Sequence, residues 1–282
     1  MSSSGGGSSG GRAGEVRSTS GAHGILEYEV QGSGTPVVML HGAFAGRGAW
    51  SRQRKLAERW RLVLPSARAH DGSARELPAG YGIATTDVDD LKAVLAAEGL
   101  ERFDLIAHSS GGATAVAFVR AHPEAVRRLV LIEPTLLKLL PPEEHAVMQR
   151  EWGRLVEIAR RDGGAAGLSA AMAWLGREAW ARLEDGRRTK LLADMAPLAH
   201  ITGPHFQALL DFAVAPIDVT AIKAPTLLIY GSASYPFEDK IAARLRALKP
   251  DWPLVSVEGA GHNCFREQPD LVNAAIADFL SR

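Results

Sequence analysis

LIAHSSGGATA, residues 105–115, sets two serines, Ser109 and Ser110, between an apolar run and the glycine-rich start of a helix. Serine before a helix is common because its hydroxyl accepts from the unpaired N–H groups of the first turn. The alternative is a strand–turn–helix that presents one serine at its apex as a nucleophile. A turn that sharp needs small residues two before and two after the reactive serine. With Ser109 at the apex those are Ala107 and Gly111; with Ser110 they are His108 and Gly112, and an imidazole does not fit. Ser109 is therefore the nucleophile candidate. Ser110 then offers its backbone N–H at the helix start, where the dipole favours a developing negative charge.

Around this stretch, short apolar runs recur: VVML at 37, RLVL at 61, FDLIA at 103, LVLI at 129, TLLIY at 226 and LVSV at 254. They are too short for helices and mostly do not alternate, as in strands covered on both faces. Helical segments separate most of them, such as 87–97, 113–121 and 239–248. That rhythm predicts an α/β fold, a mostly parallel central sheet flanked by helices. ILEYEV at 25 does alternate and reads as an antiparallel edge strand. From 136 to 216 the pattern is helical throughout, with Val147, Trp152, Leu155, Val156 and Ala159 on one face and RDGG at 161 ending that helix. A second helical stretch carries Trp174, Leu175 and Trp180. The expected organisation is a Ser/Gly-rich disordered tail over 1–20, a core of 21–135 and 217–282, and a helical cap over 136–216.

Composition excludes several classes of partner. Lys plus Arg equals Asp plus Glu at 32 each, so no charge footprint favours nucleic acid or an anionic membrane surface. No run approaches the roughly 18 apolar residues of a membrane helix. The single cysteine, Cys264, leaves no internal disulfide framework or cysteine-rich metal site, so the compartment can be reducing and a cytoplasmic location is expected. Cys264 lies two residues from His262, and burial as a small hydrophobe is its expected role. A small apolar molecule is the expected partner, with no metal and no cofactor; a homodimer is left open.

In an open parallel sheet the loops at the carboxyl ends of the strands form the binding crevice. Those loops here carry HGAF (41–44), HSSGG (108–112), Glu133-Pro134 and GAGH (259–262). Together with RAHDGS at 68 and GAGHNCF at 259, in this order and spacing, they resemble the α/β-hydrolase fold family over about residues 24–282. The resemblance implies a Ser109 nucleophile, a His262 general base, and an oxyanion hole from the N–H groups of Ala43 and Ser110. The plainer readings are a hydrogen-bonded loop histidine at 262 and a tight turn at HGAF. Ala107 stands where the family usually has glycine.

The family's usual acid is an aspartate soon after the strand matching TLLIYG, and here Ser234 occupies that place in GSASYP. Glu133, at the end of the neighbouring strand, is the acid candidate and keeps the chain order Ser109, Glu133, His262. Glu238, Asp239, or no carboxylate at all are the alternatives, and Glu133 can also be read as a polar strand end anchoring the cap. HSSGGAT, EPTLLKLL and GSASYP are similar to hydrolases of the zearalenone-lactonase type, which raises lactones as a substrate class. The expectation is a cofactor-independent serine hydrolase of apolar esters or lactones, with Phe44, Trp174, Trp180 and Ser234 against the substrate. Trp152, Met172 and Met195 are further candidates for an apolar roof. Carbon–carbon bond hydrolysis, acyl transfer by the same residues, and a non-catalytic ligand-binding protein are the rival readings.

Overall fold

The computed structural model describes residues 14–282. All six apolar runs are strands of one eight-stranded sheet, ordered β1-β2-β4-β3-β5-β6-β7-β8. The strands are β1 (Glu15–Gly21), β2 (Gly24–Gln31), β3 (Pro36–Leu40), β4 (Arg61–Pro65), β5 (Phe103–His108), β6 (Val126–Ile132), β7 (Thr226–Gly231) and β8 (Leu254–Val257). From β4 through β8 in spatial order the pairing is parallel; only β1 with β2 and β2 with β4 run antiparallel. Neighbouring residues of one strand enter different cores. Leu105, Leu129 and Leu131 join the cluster on one face, whereas Ile106, Val130 and Ile132 join that on the other. Burial on both faces explains why these strands read as continuous apolar runs.

The N-terminal edge differs from the expectation. ILEYEV is an interior strand, because β1 pairs along its whole outer side, from Glu15 opposite Val30 to Gly21 opposite Gly24. Residues 15–20, expected in the disordered tail, thus form the edge of the sheet; residues 1–13 lie outside the described residues. EVRSTSG has no buried residue, so no hydrophobic pattern marks it. Its backbone satisfies the free edge of β2, and Gly24 (φ 115°) closes the tight hairpin.

One face is covered by α1 (Val88–Ala97) and α2 (Ser110–Ala121). The segment between β6 and β7 is helical as expected, comprising α3 (Pro142–Asp162), α4 (Gly164–Arg182), α5 (Asp185–Met195), α6 (Thr202–Asp211) and the short α7 (Pro216–Thr220). Gly163 (φ 92°) ends α3, as RDGG suggested. On α3, Trp152 and Leu155 are buried, but Val147, expected on the same face, is exposed. After β7 come α8 (Pro236–Leu248), α9 (Cys264–Glu267) and α10 (Pro269–Leu280). α8 belongs to the first core, whereas Phe265 of α9 and Val272 and Ile276 of α10 pack with Trp50 on the opposite face. No helix among the described residues is long and apolar enough to cross a membrane.

Candidate active site

Ser109 sits at the turn between β5 and α2 with φ 54° and ψ −122°, a positive φ that side chains rarely adopt. Backbone bonds hold it there: Ser109 N–H donates to Ile132 O (3.1 Å), and Ser109 O accepts from Gly112 (2.8 Å) and Thr135 (3.1 Å). The small-residue rule has a direct steric cause. A Cβ on Gly111 would lie 2.6 Å from the carbonyl oxygen of His41 and 2.7 Å from that of Leu40. Ala107 is fully buried between Leu40 and Leu131 of the adjacent strands. The loop after β3 is as close: a Cβ on Gly42 would lie 2.9 Å from the Cβ of Ser109.

Glu133 also has a positive φ (45°) and is completely buried. Its carboxylate is well supplied with donors: Gly231 N–H reaches Oε1 at 2.7 Å, while His262 Nδ1–H (2.7 Å) and the Ser234 hydroxyl both reach Oε2. Such donors offset the cost of burying the charge. Nδ1 of His262 being the donor, Nε2 carries a lone pair. Ser109 and His262 line the same cavity, whose volume is about 600 Å³. The arrangement provides a hydroxyl and an imidazole with a free acceptor nitrogen facing one chamber, the imidazole fixed from behind by a carboxylate. The Ser109 hydroxyl also lies 3.3 Å from that of Thr135, a neighbour that the sequence reading did not include.

Two further histidines shape the site from behind. Burial pushes His108 well below the ordinary imidazole range, so it is neutral, and its Nε2–H donates to the backbone oxygen of His262 at 3.0 Å. Burial likewise pushes His41 down to about 3, its neighbour His70 adding to the effect. Its Nδ1–H donates to Gly42 O (2.8 Å) and its Nε2 accepts from Ala67 N–H (3.0 Å), tying the loop after β3 to that after β4. Ala43, on this tied loop, borders the cavity beside Ser109. Ser110 is the first residue of α2, whose opening N–H groups have no partner within the helix.

Of the residues expected against substrate, Phe44 and Trp180 line the cavity, as do Trp152, Met172 and Met195. Trp174 does not: it packs behind the wall, 5.7 Å edge-on to Trp152 and 5.9 Å from Tyr235. Ser234 is also set back from the cavity, its hydroxyl being engaged by Glu133. Tyr235 and Phe237, which the sequence reading passed over, take that place. Cys264 is buried in the core beyond the site, and burial pushes its thiol up to about 12. Among the described residues one cluster holds three groups of metal-ligating type, Glu133, Glu238 and His262, with donor atoms within 4.8 Å of one another. The His262–Glu133 bond already occupies Nδ1, so the cluster reads as an acid–imidazole pair with a second carboxyl beside it.

Residues 37–275 match the sequence model of a family described as the alpha/beta hydrolase family. The chain belongs to that family. A protein of Klebsiella pneumoniae named as a carbamate hydrolase, RutD, is 30% identical to it over 88% of this chain and 92% of its own length. Among solved structures, a hydrolase from Pseudomonas aeruginosa superposes with a TM-score of 0.78 at 21% identity, covering 96% of this chain and 100% of that one. An esterase from Thermogutta terrifontis gives 0.74 at 23% identity, covering 95% and 98%. At such identities the two structures speak for the alpha/beta hydrolase fold alone. The family match and the curated relative make the chain a hydrolase of this family.

Proposed function

We propose that the protein is a serine hydrolase of carboxylic esters or lactones of a fairly apolar small molecule, working through an acyl-enzyme on Ser109 without a cofactor. The observation that carries this reading is the 2.7 Å bond from His262 to the buried Glu133, made on the wall of a cavity that also contains Ser109. Nε2 of His262 takes the Ser109 proton as the hydroxyl oxygen attacks the carbonyl carbon. The N–H groups of Ala43 and Ser110 hold the oxyanion of the tetrahedral intermediate. His262 then protonates the departing alkoxide, which remains attached to the acyl group if the substrate is a lactone. Water, deprotonated by the same nitrogen, releases the acid. Glu133 stabilises the imidazolium in both halves. Phe44, Trp152 and Trp180 make the chamber suited to apolar groups.

Ser234 in place of the family's usual aspartate would suit a non-catalytic ligand-binding protein; the bond from His262 to Glu133, just after β6, supports the catalytic reading. A cytoplasmic site of action goes with the same reading, the one cysteine being buried and unpaired. The likeness to RutD supports a second reading, carbamate hydrolysis, which uses the same attack on a carbonyl carbon. The test is labelling with a fluorophosphonate followed by assay of aryl esters, lactones and aryl carbamates. Labelling at Ser109 with ester or lactone turnover is the expected result. Absence of labelling at Ser109 would overturn the mechanism, and turnover confined to carbamates would favour the second reading.

A further inference from the structure

Glu238, on α8, is fully buried and borders the same cavity, yet neither of its carboxyl oxygens has a hydrogen-bond partner. Its Oε1 lies 4.0 Å from Nδ1 of His262. Two carboxyl groups therefore flank one imidazole nitrogen within 4.8 Å. Close, buried carboxylates cannot both ionise cheaply, and the proton goes to the one whose charge is less well supported. Glu133 has three donors and Glu238 has none. The groups facing Glu238 add no positive support while His262 is neutral: Glu133 just after β6, Tyr230 on β7, Asp239 on its own helix and Tyr235 before it. Burial, then Glu133, then Asp239 push its carboxyl well above the ordinary range.

We propose that Glu238 is a reserve positioning residue for His262, a neutral carboxyl that ionises and takes up the Nδ1–H when Glu133 carries no charge. The idea rests on the hydrolase reading only in its kinetic consequence. Replacing Glu133 by glutamine removes the repulsion that acts with burial to hold the Glu238 proton and leaves the Nδ1–H of His262 without its carboxylate; the proton then leaves to solvent. A movement of about 1 Å then brings Oε1 to bonding distance of Nδ1. The site thus holds one negative charge that either of two glutamates can carry. This makes Glu133 and Glu238 energetically coupled.

Three measurements test it. In kinetics with p-nitrophenyl butyrate, E238Q is expected to cost about tenfold more in kcat/KM on an E133Q background than on the wild type. Equal cost on both backgrounds would overturn the proposal. Proton NMR needs no turnover: the low-field resonance of the His262 Nδ1–H, bonded to a carboxylate, is expected in the wild type and E133Q but not in E133Q/E238Q. Its loss in folded E133Q would overturn it. Infrared spectroscopy of the unmutated protein avoids dependence on E133Q folding. A protonated-carboxyl band at neutral pH that disappears in E238Q is expected, and no difference between the two proteins would overturn the proposal. If the wild type hydrolyses no ester, the functional reading falls while the two spectroscopic tests still decide the role of Glu238.

Discussion

The hydroxyl of Ser234 donates to Oε2 of Glu133, the same oxygen that accepts from Nδ1 of His262. The residue at the family's usual acid position therefore supports the carboxylate proposed as the acid, which follows the neighbouring strand β6. This predicts opposite uses of one site. Ser234→Ala removes one donor from a buried carboxylate, worth about 1.5–3 kcal/mol for a charged group, and should lower kcat at least about tenfold with little change in KM. Ser234→Asp, although it restores the family's common residue, sets a second carboxylate against Glu133 and should be more damaging at neutral pH. Steady-state kinetics on an aryl ester decides this; an aspartate variant faster than wild type would refute the assigned role of Ser234.

Ser109 holds a strained backbone at the apex of the turn between β5 and α2. Its φ of 54° belongs to a region costing about 1–3 kcal/mol for a residue with a side chain. Ser109→Gly should abolish fluorophosphonate labelling and turnover while stabilising the fold. The entropic cost of glycine, about 0.5–1 kcal/mol, leaves a net gain of about 1 kcal/mol, or a rise of about 2–4 °C in Tm for a chain of this size. Thermal unfolding of the glycine and alanine variants separates the effect: alanine keeps the Cβ and should show no such rise.

The parts of the molecule legible in sequence are those where one local requirement fixes the residue. Five double-covered strands and the half-covered β8 show as apolar runs, and the elbow shows through Ala107 and Gly111, whose neighbours leave no room for a larger side chain. Glu133 stood out by its place at a strand end. Less legible were features determined by distant pairing. β1 is polar throughout and exists because β2 offers it an edge. The hydroxyl contact of Thr135 with Ser109 depends on how the chain leaves β6. Trp174 and Trp180, six residues apart on a helix kinked at Arg177 (φ 46°), carry no sequence mark of which faces the cavity.

That last distinction is measurable. Trp180 lines the cavity, whereas Trp174 is wedged against Trp152, Tyr235 and Phe237 behind its wall. Trp180→Ala should raise KM for bulky apolar esters by about tenfold, the loss of one large apolar contact, and change stability by less than about 1 kcal/mol. Trp174→Ala should cost about 2 kcal/mol, less than the 3–5 of a fully buried tryptophan because it is only half-buried. Denaturant titration beside Michaelis–Menten kinetics separates the two, and a reversed pattern would contradict the placement of these rings.

Among the buried ionisable groups behind the loop after β3, His41 and Asp87 make contributions to the pH dependence of stability that oppose each other. His41 is ordinarily near 6.5 and is pushed to about 3, chiefly by burial. Between those values the unfolded chain binds the extra proton, so the stability it contributes is present above about 6.5 and is lost as pH falls towards 3. Asp87 is ordinarily near 3.8 and is raised to about 7, again chiefly by burial, although Tyr81 (3.1 Å) and Thr114 (3.4 Å) donate to it. Here the folded protein binds the extra proton, so the contribution is full below about 3.8 and is lost as pH rises through 7. Each proton difference is worth about 1.4 kcal/mol per pH unit, and between pH 4 and 6.5 the two slopes cancel. Removing one should expose the other: His41→Gln, which can keep both backbone bonds, should make the protein relatively more stable on acidification from pH 6.5 to 4. Asp87→Asn should steepen its acid loss over the same range. Urea unfolding of both variants from pH 4 to 8 reads the slopes, and parallel curves for the two variants would overturn the assignment of these groups as neutral in the fold.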